Sequence, residues 1–92
     1  MNHKQAIIAL RENVRTKRKI TQEQTYVKTV ITNDLRQRWI DELTKALNDT
    51  QKAFDYLAEI RDPATEAAAS LLNSTEDFIG RLKSAIELQN KT

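Results

Sequence analysis

The longest helical pattern in the chain covers residues 32–62, and it constrains the fold more than any other feature. Apolar residues recur along it at intervals of three and four, the spacing of one helix face. The pattern predicts a helix over residues 33–61, which could break only at the cap-forming residues 48–50. The apolar residues are Leu35, Trp39, Leu43, Ala46, Leu47, Ala53, Phe54, Leu57 and Ile60.

A second long apolar stripe begins after the one proline of the chain, Pro63. Proline suits the first position of a helix, and Asp62 before it is a good N-cap, so one helix should stop here and another start. The stripe predicts this helix over residues 63–89. The two helices should form an antiparallel hairpin in which Trp39 faces the region of residues 71–75.

The N-terminal part is less clear. Ile7, Leu10 and Val14 have helical spacing and predict a shorter first helix, over residues 2–15. Residues 16–31 are rich in β-branched side chains, which favour extended structure. A capping box at Thr21 and an apolar face that starts at Tyr26 and runs on into the long helix favour helix instead. We favour helix, and a strand remains the alternative.

Composition supports an all-α fold. The 92 residues include one glycine and one proline, against about six and about five in an average chain of this length, so turns are few. With 39% apolar residues the chain is too hydrophobic to be disordered. We expect one helical domain over residues 1–92, with a basic segment at 1–31 and a helical hairpin at 32–89. The architecture is an antiparallel hairpin or a three-helix bundle.

The residues needed for familiar catalytic sites are missing. The chain has no cysteine, one histidine (His3) and one glycine, which excludes thiolate chemistry, a histidine pair for zinc and the glycine-rich loops that bind nucleotides. We expect no enzyme activity, no cofactor, no metal and no small-molecule substrate. No apolar run approaches the ~20 residues that span a bilayer, so we expect no membrane span and a cytoplasmic protein.

Charge is distributed unevenly along the chain. Residues 1–38 hold nine Lys and Arg against three Asp and Glu, a net charge of +6, whereas residues 39–92 have a net charge of −4. A basic surface could contact phosphates, so a small DNA-binding regulator is the alternative function. The candidate basic residues are Arg11, Arg15, Lys17, Arg18, Lys19, Lys28, Arg36 and Arg38.

The segment TYVKTVITNDLRQRWIDELTK resembles the start of a ribbon-helix-helix DNA-binding domain, in which a short strand precedes a helix. The resemblance implies that the long helix breaks and that Thr50 caps a second helix. The strand would direct Val27, Thr29 and Ile31 to the core and Tyr26, Lys28 and Val30 to DNA.

A second resemblance joins two segments of the hairpin, VITNDLRQRWIDEL and LLNSTEDFIGRL. Together they are similar to a pattern in uncharacterised bacterial helical proteins, in which the hairpin is often tethered behind a membrane anchor. The resemblance implies a helical hairpin and brings no known activity.

A two-helix hairpin of this composition leaves part of its apolar stripes uncovered. The first helix or a second copy of the chain could cover them, and we expect a dimer. The function we expect is non-enzymatic protein–protein interaction or assembly, through the uncovered apolar stripe and a basic rim over residues 11–28. Trp39, Tyr26 and Phe54 are the aromatic residues expected to anchor the core or to bind the partner.

Overall fold

Three helices make up the fold. The computed structural model describes residues 1–26 and 30–91, and its helices are α1 (His3–Tyr26), α2 (Asn33–Glu59) and α3 (Thr65–Asn90). Residues 1–26 and 30–91 contain no strand, so the predicted all-α class is confirmed. The molecule is elongated, with extents of 49 × 24 × 17 Å.

Hydrogen bonds at the two ends of the molecule define the directions of the helices. His3 at the start of α1 contacts Asp62 in the α2–α3 turn, with Nε2 and Oδ2 3.0 Å apart. At the other end, the Asn33 amide donates to Asn90, which joins the start of α2 to the end of α3. Helix α2 is therefore antiparallel to both α1 and α3, and α1 runs parallel to α3.

Helix α1 continues past Arg15 to Tyr26, which confirms for residues 16–26 the helix favoured over a strand and joins it to the first helix. Ile20, in the segment that could have been a strand, is fully buried and extends the apolar face of the helix. Thr21 and Thr25 donate hydroxyl hydrogen bonds of 2.9 Å to carbonyls four residues earlier, which accommodates two β-branched side chains inside a helix. Thr21 therefore lies within α1, and the capping box predicted there does not form.

The predicted apolar face running from α1 into α2 is interrupted. Thr32 adopts extended backbone angles and its hydroxyl accepts a 3.2 Å hydrogen bond from the backbone N–H of Leu35, so it caps α2. Tyr26 and Val30 on either side of the junction are 77% and 82% exposed. The strand proposed for this region falls largely on residues 27–29, which lie outside the described residues.

Helix α2 is continuous through residues 48–50. Thr50 points into the core, where its hydroxyl accepts a hydrogen bond from Asn13 of α1, so it does not cap a second helix. The break in α2 that the ribbon-helix-helix resemblance requires is therefore not present. The helix ends at Glu59, two residues before the predicted end.

The turn between α2 and α3 is longer than the sequence predicts. Arg61 has a φ of 55°, and the Asp62 carboxylate accepts a 2.8 Å hydrogen bond from the backbone N–H of Ala64. Asp62 thus closes a local turn instead of capping the helix, and α3 begins at Thr65 instead of residue 63.

A buried polar layer crosses the middle of the core. It consists of Asn13, Thr50 and Thr75, one residue from each helix, and all three are fully buried. The Asn13 amide donates to the Thr50 and Thr75 hydroxyls at 2.9 and 3.0 Å. These bonds satisfy side chains that would be costly to bury alone.

Two apolar clusters fill the core on either side of the polar layer. The Trp39 cluster contains Ile20, Trp39, Ile40, Leu43, Ile79 and Leu82. The Leu57 cluster contains Ala6, Leu10, Ala53, Leu57 and Ala68.

Trp39 is buried inside the chain, where it is 1% exposed. Its indole N–H donates a 2.6 Å hydrogen bond to the Glu23 carboxylate of α1. The α3 residues of its cluster are Ile79 and Leu82, whereas Leu71 packs against the Leu57 cluster. Trp39 therefore lies further along α3 than predicted, because in an antiparallel pair a residue 20 positions before the end of α2 lies opposite residues well beyond the start of α3.

Candidate functional site

The two outer helices leave a groove between them. Helices α1 and α3 each pack along the length of α2 but make few contacts with each other. Near their N-terminal ends they enclose an open groove of about 450 Å³, which we call the α1–α3 groove. Its lining residues are Ile7, Leu10, Arg11, Val14, Arg15, Arg18, Ala67 and Leu71.

The floor of the α1–α3 groove is apolar and firmly held. Leu10 belongs to the Leu57 cluster, and Ile7 and Leu71 pack against that cluster while remaining half-buried. Val14 is 39% exposed above them. The floor of the groove thus exposes aliphatic side chains to solvent, and these side chains are held in place by packing against the core.

One wall of the groove is basic and the other is neutral. Arg11, Arg15 and Arg18 are exposed along the α1 wall, whereas the α3 wall is formed by Ala67 and Leu71. Among the groove-lining residues there is no carboxylate. Arg15 contacts Glu12 at 2.9 Å in a surface pair, which contributes little to stability.

Lys17 closes the groove at its inner end. Its ammonium donates a 2.5 Å hydrogen bond to the Ser74 hydroxyl on α3, which bridges the two outer helices. Partial burial lowers the pKa of Lys17 from its ordinary value, because desolvation disfavours the charged form. Further along the molecule, α1, the start of α2 and α3 line a second depression.

The second depression has a mixed lining of polar and apolar residues, and its two arginines already have partners. It has a volume of about 430 Å³. Arg81 lies over the Phe78 ring, 5.4 Å from its centroid, and pairs with Asp77 at 3.3 Å. Arg36 donates to Asn33 at 3.0 Å and to Gln89. Because its charged groups are used within the chain, this depression is the weaker candidate.

The predicted basic residues do not form one surface in the described part of the chain. Three of them line the α1–α3 groove. Lys19 is turned toward α2, 3.9 Å from Glu23 and 3.7 Å from Glu42. Arg36 belongs to the second depression, Arg38 is exposed on α2, and Lys28 lies outside the described residues.

The three predicted aromatic residues lie away from the groove. Trp39 is in the core, Tyr26 is exposed at the C-terminal end of α1, and Phe54 is half-buried against the Leu57 cluster. The groove is aliphatic instead, and sequence reasoning missed its α3 wall. The signal available was Ala67 and Leu71, four residues apart on one edge of the predicted second stripe.

Sequence reasoning also missed the buried polar layer. Asn13 follows Ala6 and Leu10 at helical spacing, so it occupies a core position of α1. A buried amide at such a position needs partners, and this was the signal that could have indicated polar residues on the facing helices.

Residues 1–26 and 30–91 contain no group of three or more His, Cys, Asp or Glu side chains placed to hold a metal ion. His3 is exposed, and its contact with Asp62 ties α1 to the α2–α3 turn. Across the same residues, no helix is both long enough and apolar enough to cross a membrane.

Comparison of the chain with models of protein families, with curated proteins and with solved structures found no match.

Proposed function

We propose that this protein is a non-enzymatic interaction module that binds a helix of another protein in the α1–α3 groove. The observation that carries the proposal is the arrangement of α1 and α3, which cover α2 while leaving an apolar floor between themselves. A fourth helix laid there would complete a four-helix bundle.

The dimensions of the groove fit a short helix. Its α1 wall runs from Ile7 to Arg18, a separation of eleven positions, which corresponds to about 16 Å, or three helical turns. Recognition of an amphipathic helix in a groove depends on apolar side chains at intervals of three and four, which three turns can supply.

The exposed floor supplies the driving force. Full burial of one large aliphatic side chain contributes about 1.5–3 kcal/mol, and Ile7, Val14 and Leu71 are each only partly covered by the chain itself. A docked helix would gain a fraction of that free energy at each of the three positions. Further affinity must come from polar contacts with the walls.

Site-specific photo-cross-linking tests the proposal. A benzophenone amino acid replaces Val14 in the groove or, as a matched control, exposed Lys52 on α2, and the protein is irradiated in the cells that produce it. We expect a discrete cross-linked product of larger mass at position 14 and none at position 52. The partner identified by mass spectrometry must then bind the purified protein, and the Val14→Glu variant must bind it with lower affinity.

Three results would contradict this proposal. Equal products at both positions would show non-specific contact. A product containing only two copies of the chain would show self-association, which the sequence predicts and sedimentation equilibrium would measure directly. No product at position 14 would show that the groove has no protein partner in these cells. Cell fractionation of the same samples tests the predicted cytoplasmic location.

A nucleic-acid role is the second candidate. It rests on the three neighbouring arginines of the α1 wall, the part of the predicted basic surface that lies together. Its test is the salt dependence of binding to random duplex DNA.

A further inference from the structure

We infer that the helix bound in the α1–α3 groove is acidic along one flank, with Asp or Glu at positions that follow the arginines of the α1 wall. This inference rests on the proposed function and adds the chemical class of the partner.

The three guanidinium groups form one edge. Arg11, Arg15 and Arg18 follow one another at intervals of four and three positions, so they repeat on one side of α1, and the first and last are seven positions, about 10 Å, apart. A helix lying along α1 repeats its own side chains at the same intervals. Carboxylates would therefore meet the three arginines at i, i+4 and i+7 of a parallel helix, or at i, i+3 and i+7 of an antiparallel one.

The arginines are available for such contacts. The Arg15 contact with Glu12 is made between two largely exposed side chains, so exchanging it for a partner carboxylate costs little. Neither groove wall supplies an acidic residue. A partner without carboxylates that covered the apolar floor would remove water from the arginines and supply no opposite charge. The desolvation of the guanidinium groups would then weaken binding.

A second copy of the chain does not provide the missing carboxylates through the same groove. A two-fold axis across the helices would place the α1 wall against its own copy, bringing like charges together. A two-fold axis along the helices would place it against the neutral wall of Ala67 and Leu71. The charge pattern therefore favours a different, acidic chain over a groove-to-groove dimer.

A display library of amphipathic helical peptides tests the inference with the full-length protein. Each 18-residue peptide carries Leu and Ala on one face, and its flanking positions are randomised among Glu, Lys and Gln in equal amounts. We expect the ratio of Glu to Lys to rise at least tenfold along one flank among retained peptides, and retention to be lost when Val14→Glu is used as bait.

Charge reversal provides the matched variants. The double variant R11E/R18E should retain at least tenfold fewer Glu-flanked peptides than the unchanged protein. It should instead enrich Lys along the same flank. Both positions are exposed, so the variant should fold, which circular dichroism checks. The control K52E/K83E makes the same net charge change at exposed positions of α2 and α3 and should leave the Glu preference unchanged.

The outcomes separate the inference from the proposed function. Retained peptides with no flank preference, or with Lys enriched, overturn the acidic partner and leave a helix-binding groove. Retention of no peptide overturns both. A Glu preference that survives R11E/R18E but is lost in K52E/K83E places the acidic recognition elsewhere and also overturns the inference.

Discussion

Asn13 links all three helices from a single side chain. Its amide donates to Thr50 of α2 and to Thr75 of α3, and the Thr75 hydroxyl lies 2.6 Å from the Leu71 carbonyl one turn earlier. A polar layer in an otherwise apolar core tolerates only one alignment of the helices, because a shift along the axis would leave these groups unpaired. The layer should therefore fix the register between the Trp39 and Leu57 clusters.

Removing the whole polar layer should cost less than the sum of removing its members one at a time. Thr75→Val keeps the shape of the side chain but leaves the Asn13 amide short of an acceptor, and we expect a loss of about 1–2 kcal/mol in the free energy of unfolding. The triple variant N13L/T50V/T75V removes every polar partner and should lose less than the three single variants together. Urea unfolding followed by circular dichroism measures this.

Thr44→Val is the matched control for that series. Its hydroxyl bonds the Ile40 carbonyl at 2.7 Å, but the residue is exposed, so its removal should change stability by less than about 0.5 kcal/mol. Strict additivity of the three single substitutions would show that the layer is not coupled.

Lys17 should titrate at a lower pH in the folded chain than in the unfolded one. After reductive methylation with ¹³C, NMR should place the Lys17 titration below that of the same residue in urea, because burial disfavours its charged form. Between the two pKa values the unfolded state binds more protons, so this group adds stability as pH rises through that window. A folded Lys17 that titrates at or above its unfolded value would contradict the burial argument.

At the scale of elements, helix α3 has two points at which its local sequence does not favour a helix, its N-terminus and its glycine. Its N-cap residue, Ala64, makes no side-chain capping bond, and the helix contains Gly80, which is exposed. The helix nevertheless runs to Asn90 because Thr75, Ile79 and Leu82 are buried against the other two helices. Tertiary contacts thus outweigh weak local propensity here.

Gly80→Ala should stabilise the protein. A Cβ at this position would meet nothing within 4 Å, and alanine in a helix interior is favoured over glycine by about 0.8–1 kcal/mol. Thermal unfolding should shift upward by a few degrees, whereas Ser84→Ala, at another exposed position of α3, should give a smaller gain. Destabilisation by Gly80→Ala would indicate that another molecule packs closely against this turn.

At the scale of the whole molecule, the fold brings only a few of the basic side chains together on one surface. The basic wall of the α1–α3 groove holds three arginines, while Lys19 and Arg36 make contacts within the chain. A protein that binds DNA mainly through phosphates uses more contacts than this, typically six to ten for strong salt dependence. The geometry therefore favours protein recognition over nucleic-acid recognition.

Binding to random duplex DNA should be weak and only mildly dependent on salt. With three arginines engaged, the slope of log K against log salt should be no steeper than about −2.7, and R11Q/R18Q should reduce it by about 1.8. Fluorescence anisotropy between low and physiological salt measures the slope. A much steeper slope, unchanged by these substitutions, would restore the DNA-binding regulator as the leading function.

The sequence by itself determined the three helices of this protein and most of their buried faces, because a repeat of three and four depends only on helix geometry. It also indicated basic side chains between residues 11 and 18. Tertiary structure alone decided that Asn13, Thr50 and Thr75 meet and that Leu71 and Val14 line one groove. These features depend on how three helices align side by side, and residues 37 and 62 positions apart carry no local signal of their contact.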